Sequence, residues 1–196
     1  MTTVRLSPSG PDITNSDGGG LDFGTGARLR LAEAQSTVGD TSNVITTVDK
    51  VIGVNLVSAP VLADAPMVAS LAAPALTKNY RATLVCDVMS DLTNANITVT
   101  LGIQTSPDGT TWTTKVQNEH WLGFAANNTG ADNARQCQID LMLQSGADLG
   151  VLAGDASLKV RGIIKADKAG ASISHPTGSG AENGVGSAHI MLEELF

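Results

Sequence analysis

The chain has 196 residues and a net charge of −7, and only 16% of its residues are charged, against about a quarter in an ordinary soluble domain. That length suits one good-sized domain or a domain with an extension. An acidic chain without a Lys/Arg cluster has little with which to neutralise phosphates, which excludes nucleic acid as a partner. The charge-free runs 51–63 and 65–77 are short and interrupted by Pro60, Asp64, Pro66 and Pro74, which excludes a membrane span.

Residues 1–40 differ from the rest. SPSGPDITNSDGGGLDFGTG is rich in Gly, Ser, Asp and Pro with no sustained period, so it cannot bury enough apolar surface to fold alone. Val4, Leu6, Ile13, Leu21 and Phe23 are spaced through it as anchors for a partner. ARLRLAEAQ follows, with Leu29 and Leu31 alternating with arginines, and reads as a short strand or one helical turn. The whole stretch is expected to be an extended arm that docks on something. The opening MTTVRLSPSGPD lacks the basic-then-apolar pattern of a signal peptide.

From about residue 41 the period is two, which predicts strands. VITTVDKVIGVNLV (44–57) reads as one or two of them. Residues 58–76 are Ala/Pro-rich, and the prolines predict edge strands and turns. Along 80–88, Tyr80, Ala82, Leu84, Cys86 and Val88 share a face, and along 97–103 so do Ile97, Val99, Leu101 and Ile103. Cys137, Ile139, Leu141 and Leu143 are expected inward over 135–143, and Leu158, Val160 and Ile164 over 158–164. The last stretch, 188–196, is predicted as a strand with Ile190 and Leu192 in phase, because Gly184 and Gly186 precede it without a helix cap. Long polar loops are expected at 123–134 and 166–187.

Roughly eight antiparallel strands with turn signals predict an all-β chain: an antiparallel β-sandwich of jelly-roll or immunoglobulin-like type over 41–196, with the extended N-terminal arm over 1–40. Cys86 and Cys137 fall in apolar phases and read as reduced, buried small hydrophobes.

The turn Ser106-Pro107-Asp108-Gly109 joins two strands and allows two registers. A four-residue loop sets Ile103 opposite Trp112, Leu101 opposite Thr114 and Val99 opposite Val116. A shorter loop with a Gly bulge would place Lys115 and Gln117 on the buried face. The hydrophobic pattern favours the first, which makes Trp112 a core plug. Trp121 and Phe124 then remain for exposed contact.

Chemistry is not indicated. His120, His175 and His189 lie in no nucleophile context. Glu119, Glu182, Glu193 and Glu194 sit at strand ends or in loops and form no marked carboxylate pair. DGGGLDFGTG matches no calcium loop, and GTGA and GSGAENG lack the setting of a phosphate loop. The Asn96 and Asn127 sequons are of a kind common by chance. No enzyme activity, cofactor or metal site is expected.

The arm over 1–40 and the hairpin Ser106-Pro107-Asp108-Gly109-Thr110-Thr111-Trp112, in a low-charge sandwich, resemble the decoration (cement) proteins of tailed-bacteriophage capsids and related head- or tail-fibre modules. The resemblance implies a structural virion protein on the capsid surface, made in the host cytoplasm. Its expected partners are the major capsid protein or other virion subunits, and it is expected to form a homo-oligomer, a trimer. Val4, Leu6, Ile13, Leu21, Phe23, Trp121 and Phe124 are the candidate partner contacts. The alternative is a carbohydrate- or receptor-binding module of a phage head or tail fibre, which would need exposed aromatic rings.

Overall fold

A computed structural model describes residues 5–7, 10–12, 28–35, 38–39, 43–53, 55–56, 65–90, 96–122, 134–173 and 188–195. Among them there is no helix. The strands are β1 (Arg5–Ser7), β2 (Gly10–Asp12), β3 (Arg28–Gln35), β4 (Val38–Gly39), β5 (Asn43–Ile45), β6 (Lys50–Val51), β7 (Asn55–Leu56), β8 (Val68–Ala72), β9 (Asn79–Ser90), β10 (Ile97–Ser106), β11 (Thr113–Leu122), β12 (Ala134–Ser145), β13 (Ser157–Ala166), β14 (Ala171–Ile173) and β15 (Ala188–Leu195).

Two antiparallel sheets face each other. In the five-stranded sheet β10 lies between β11 and β13, and β8 and β6 share the far edge of β13. In the six-stranded sheet β9 is central, with β12 along one edge and β15 and β14 along the other. There β3 flanks β15 and β5 flanks β14. Two small ladders, β1–β2 and β4–β7, stand apart from these sheets.

The alternation read from the sequence is the packing pattern. Tyr80, Ala82, Leu84, Cys86 and Val88 of β9 are buried against a single core. The same core takes Ile97, Val99, Leu101 and Ile103 of β10, Cys137, Ile139 and Leu141 of β12, and Leu158, Val160 and Ile164 of β13. It also takes Ile190 and Leu192 of β15, so the chain's last element is a strand, as predicted. Each large aliphatic side chain buried in this way contributes about 1.5–3 kcal/mol. Both cysteines are free and buried.

The sheets pack closely at Gly162, which occupies an inward position of β13. A Cβ there would stand 2.8 Å from Leu84 Cδ1 and 3.0 Å from Ile52 Cδ1. The missing side chain lets β9 of the opposite sheet fill the space. Tyr80 is buried with its hydroxyl satisfied. The Ala75 amide donates to Tyr80 Oη at 2.8 Å, which pins the β8–β9 connection to the core. Glu194, buried on β15, is paired with Lys78, the residue just before β9.

One expectation needs correcting. Residues 28–35 were expected within the docking arm, yet they form β3, the strand that covers β15. The physical reason is the alternation itself: Ala32 and Ala34 point at the core, and a bulge that skips Leu31 in the register with β15 lets Leu31 pack there as well. The ladder of β12 with β9 shifts register between Leu141 and Gln144, within the row expected to run inward to Leu143. The side chain of Leu143 lies outside the described residues. Of the 58–76 region, 65–76 is described, and it contributes β8 at the outer edge of β13, in line with an edge strand.

A chain shortened to begin at residue 41 should therefore melt earlier than the full chain. Uncovering β15 and losing Leu31, Ala32 and Ala34 should cost about 2–4 kcal/mol, or about 5–10 °C in a chain of this size. Equal midpoints in differential scanning calorimetry would show that β3 adds nothing to stability.

Candidate interaction surface

The hairpin that carries Trp112 is built around one carboxylate. Asp108 Oδ1 accepts hydrogen bonds from the Thr110 amide at 2.7 Å, the Thr111 amide at 2.9 Å and Ser106 Oγ at 2.8 Å. The Thr110 hydroxyl, and after it these donors, hold the Asp108 carboxyl well below the usual carboxylate range. Ser106 Oγ in turn accepts from the Gly109 amide at 2.7 Å. Gly109 has φ of +84°, a conformation that favours glycine.

This network lengthens the loop beyond the expected four residues. The ladder with β11 closes at Thr105 opposite Thr113, so residues 106–112 separate the paired positions, although Ser106 still pairs with Lys159 of β13. A bulge then skips Lys115, so Ile103 faces Val116, Leu101 faces Asn118 and Val99 faces His120. Neither register weighed from the sequence is the one adopted. The alternation could not reveal this, because three extra turn residues and one bulged residue compensate each other in phase.

Trp112 is therefore not a core plug. It is partly buried on the outer face, where its Nε1 donates to the Gly109 carbonyl at 3.1 Å. The Arg161 guanidinium lies 4.0 Å from its ring centroid. Arg161 comes from β13 and is held by Nε donating to Gln104 Oε1 at 2.8 Å. Burial pushes the Arg161 pKa down, and the ring face returns part of the lost hydration as cation–π attraction. One face of the indole is thus occupied by the protein itself.

Three connections lock together at this end of the sheets. The Gly146 amide donates to the Lys78 carbonyl at 3.1 Å and the Ala73 amide to the Ala156 carbonyl at 3.0 Å. Thr105 Oγ1 donates to the Leu149 carbonyl and Ser157 Oγ to the Pro107 carbonyl, each at 3.0 Å. Lys115 Nζ donates to the Asp148 carbonyl at 2.7 Å. From this tied base Leu152 projects at 69% exposure. Met142, in the β12 bulge, is 64% exposed. Sequence reasoning missed both. A bulge leaves no mark in an alternating pattern, and a leucine in a Gly-rich loop looks like any other.

Trp121 is where the sequence placed it, on the outward face of β11 and 58% exposed. It stands opposite Thr98, while Leu122 beside it turns inward and is buried. Leu6 lies in the β1–β2 ladder opposite Pro11. Val4, Ile13, Leu21, Phe23 and Phe124 lie outside the described residues. Of the predicted contact set, only Leu6 and Trp121 therefore lie among the described residues.

The outer face of the six-stranded sheet carries a second polar cluster. Asp140 accepts from Thr83 Oγ1 at 2.6 Å, Arg81 Nη2 at 2.8 Å and Gln138 Nε2 at 3.2 Å. Burial alone would raise its pKa, but these donors outweigh it and leave the carboxyl below its ordinary value. A carboxylate so fully engaged is a cross-strand tie, poorly suited to moving protons. Among the described residues no three His, Cys, Asp or Glu side chains converge as a metal-binding group.

Trp112→Ala should cost about 1–2 kcal/mol, the scale of an outer-face contact, against the about 3–5 kcal/mol of a core tryptophan. In a Trp121→Phe background, Trp112 emission should be partly quenched by acrylamide, and full protection would restore the plug. A separate outcome concerns acid. The folded-state pKa of Asp108 is depressed, so its contribution is complete above the unfolded value of about 3.9 and is lost as pH falls through the folded value. The stability gap between the native chain and Asp108→Asn should therefore narrow below about pH 4. A gap constant down to pH 2 would contradict this.

No family model, no curated protein and no solved structure matches the chain.

Proposed function

We propose that this chain is a structural virion protein that seats on the outside of a viral capsid lattice and reinforces it. The observation that carries the reading is the nesting of its strands. Taken in chain order, the eight principal strands are β3, β8, β9, β10, β11, β12, β13 and β15. The first pairs with the last, the second with the seventh, the third with the sixth and the fourth with the fifth, all antiparallel. A long hairpin rolled up on itself has this order, which favours a jelly roll over an immunoglobulin-like fold. Jelly rolls serve as viral capsid and lectin domains. The step from roll to virion is an analogy of architecture.

Exposed Trp121, Leu152 and Met142 support the reading as side-chain contacts for a partner surface. Many weak contacts of this kind sum when repeated over a lattice. The lectin side of the same analogy gives a second reading, a carbohydrate-binding module, favoured by the exposure of Trp121.

Immunogold labelling with an antibody to this chain should decorate the surface of intact virus particles from its source. Label absent from particles and confined to host material would overturn the virion reading. Binding on a glycan array that Trp121→Ala abolishes, without a change in melting temperature, would put the second reading in its place.

A further inference from the structure

The chain has two cysteines, and the fold sets them directly opposite each other. Cys86 of β9 and Cys137 of β12 are register partners, flanked by Leu84 opposite Ile139 and Val88 opposite Arg135. The β12 bulge begins only beyond Leu141, so it does not disturb this pairing. Both side chains point into the core, with exposures of 0% and 1%, and both are free thiols.

Directly opposed residues of an antiparallel pair have Cα atoms about 4.5 or 5.5 Å apart, depending on whether the pair is hydrogen-bonded. Both values fall within the about 4.4–6.8 Å span of disulfides. The Cβ atoms of such a pair are about 4.5–5.5 Å apart, against about 3.8 Å in a bridge. A small closure of the two strands therefore suffices.

We propose that Cys86 and Cys137 form a latent cross-strand dithiol that closes to an intramolecular disulfide when the protein meets a disulfide oxidant such as oxidised glutathione. One cysteine thiolate attacks a sulfur of the oxidant and expels one glutathione thiolate, leaving a mixed disulfide. The second cysteine thiolate attacks the protein sulfur of that mixed disulfide and expels the other glutathione. The two protein thiols lose two electrons and two protons, and glutathione disulfide becomes two molecules of glutathione.

The surroundings set the rate. Burial pushes the Cys86 thiol well up, with Cys137 as a second cause, so little thiolate is present in the closed fold. Access comes through β12. It lies at the edge of its sheet, and β9 is its only ladder partner among the described residues. Peeling β12 away exposes both sulfurs, and reclosing brings them together. The finished bond ties the edge strand to the centre of the sheet and closes the chain from residue 86 to residue 137.

The test uses the full native chain, independently of its biological role. The protein is incubated with oxidised glutathione a few degrees below its melting midpoint. It is then denatured, alkylated and measured by intact-mass and peptide-mapping mass spectrometry. The expected product has lost two hydrogens, carries no alkyl group and yields a peptide joined through Cys86 and Cys137. It should melt about 5–10 °C above the same sample treated with reductant. Persistently free thiols, stable glutathione adducts on either cysteine, a bond between two chains, or a bridged product that melts no higher would each overturn the proposal.

Discussion

The contact between the inward faces of β9 and β10, consecutive strands in opposite sheets, is the constraint on which the rest of the structure depends. Tyr80, Ala82, Leu84, Cys86 and Val88 meet Val99, Leu101 and Ile103 in one dry layer. With that layer buried, a one-residue slip of either strand would carry its whole apolar row into solvent. Each neighbouring strand must then adopt the register that completes the layer. β13 does so with a glycine at the place where Leu84 and Ile52 need room.

Departures from regular pairing appear where the chain must reconcile this buried layer with its turns. The Asp108 network needs extra residues in the β10–β11 loop, and the bulge at Lys115 absorbs the phase error so that Val116 still turns inward. The β12 bulge sends Met142 outward, and the bulge at Leu31 gives β3 one more core contact. A bulge is thus what aims Met142 outward.

The edge of β11 that has no ladder partner among the described residues is blunted by its own side chains. The Glu119 amide donates to Asn118 Oδ1 at 2.9 Å, which occupies a group that another strand could pair with. Lys115 and Glu119 add charge along the same strand. An edge treated this way disfavours strand addition and leaves recognition to side chains such as Trp121. On the other side of the molecule the edge of β15 is covered by β3, so a stretch that reads as a tail is part of the sheet. Under the proposed function, a partner would accordingly meet projecting side chains on a framework of sheets.

The sequence by itself determined the fold class, the inward rows of β9, β10, β12, β13 and β15, the burial of both cysteines and the exposure of Trp121. All of these follow from a period of two, which an alternating apolar pattern writes directly into the chain. Tertiary structure alone decided the rest. Whether residues 28–35 form an arm or a strand depends on β15 offering an edge, a contact between the two ends of the chain. The place of Trp112 depends on a loop closed by Asp108 and on Arg161 arriving from β13. The pairing of Cys86 with Cys137 depends on a register across 51 positions of sequence. Such outcomes rest on contacts between distant segments, and local periodicity carries no information about which segments will meet.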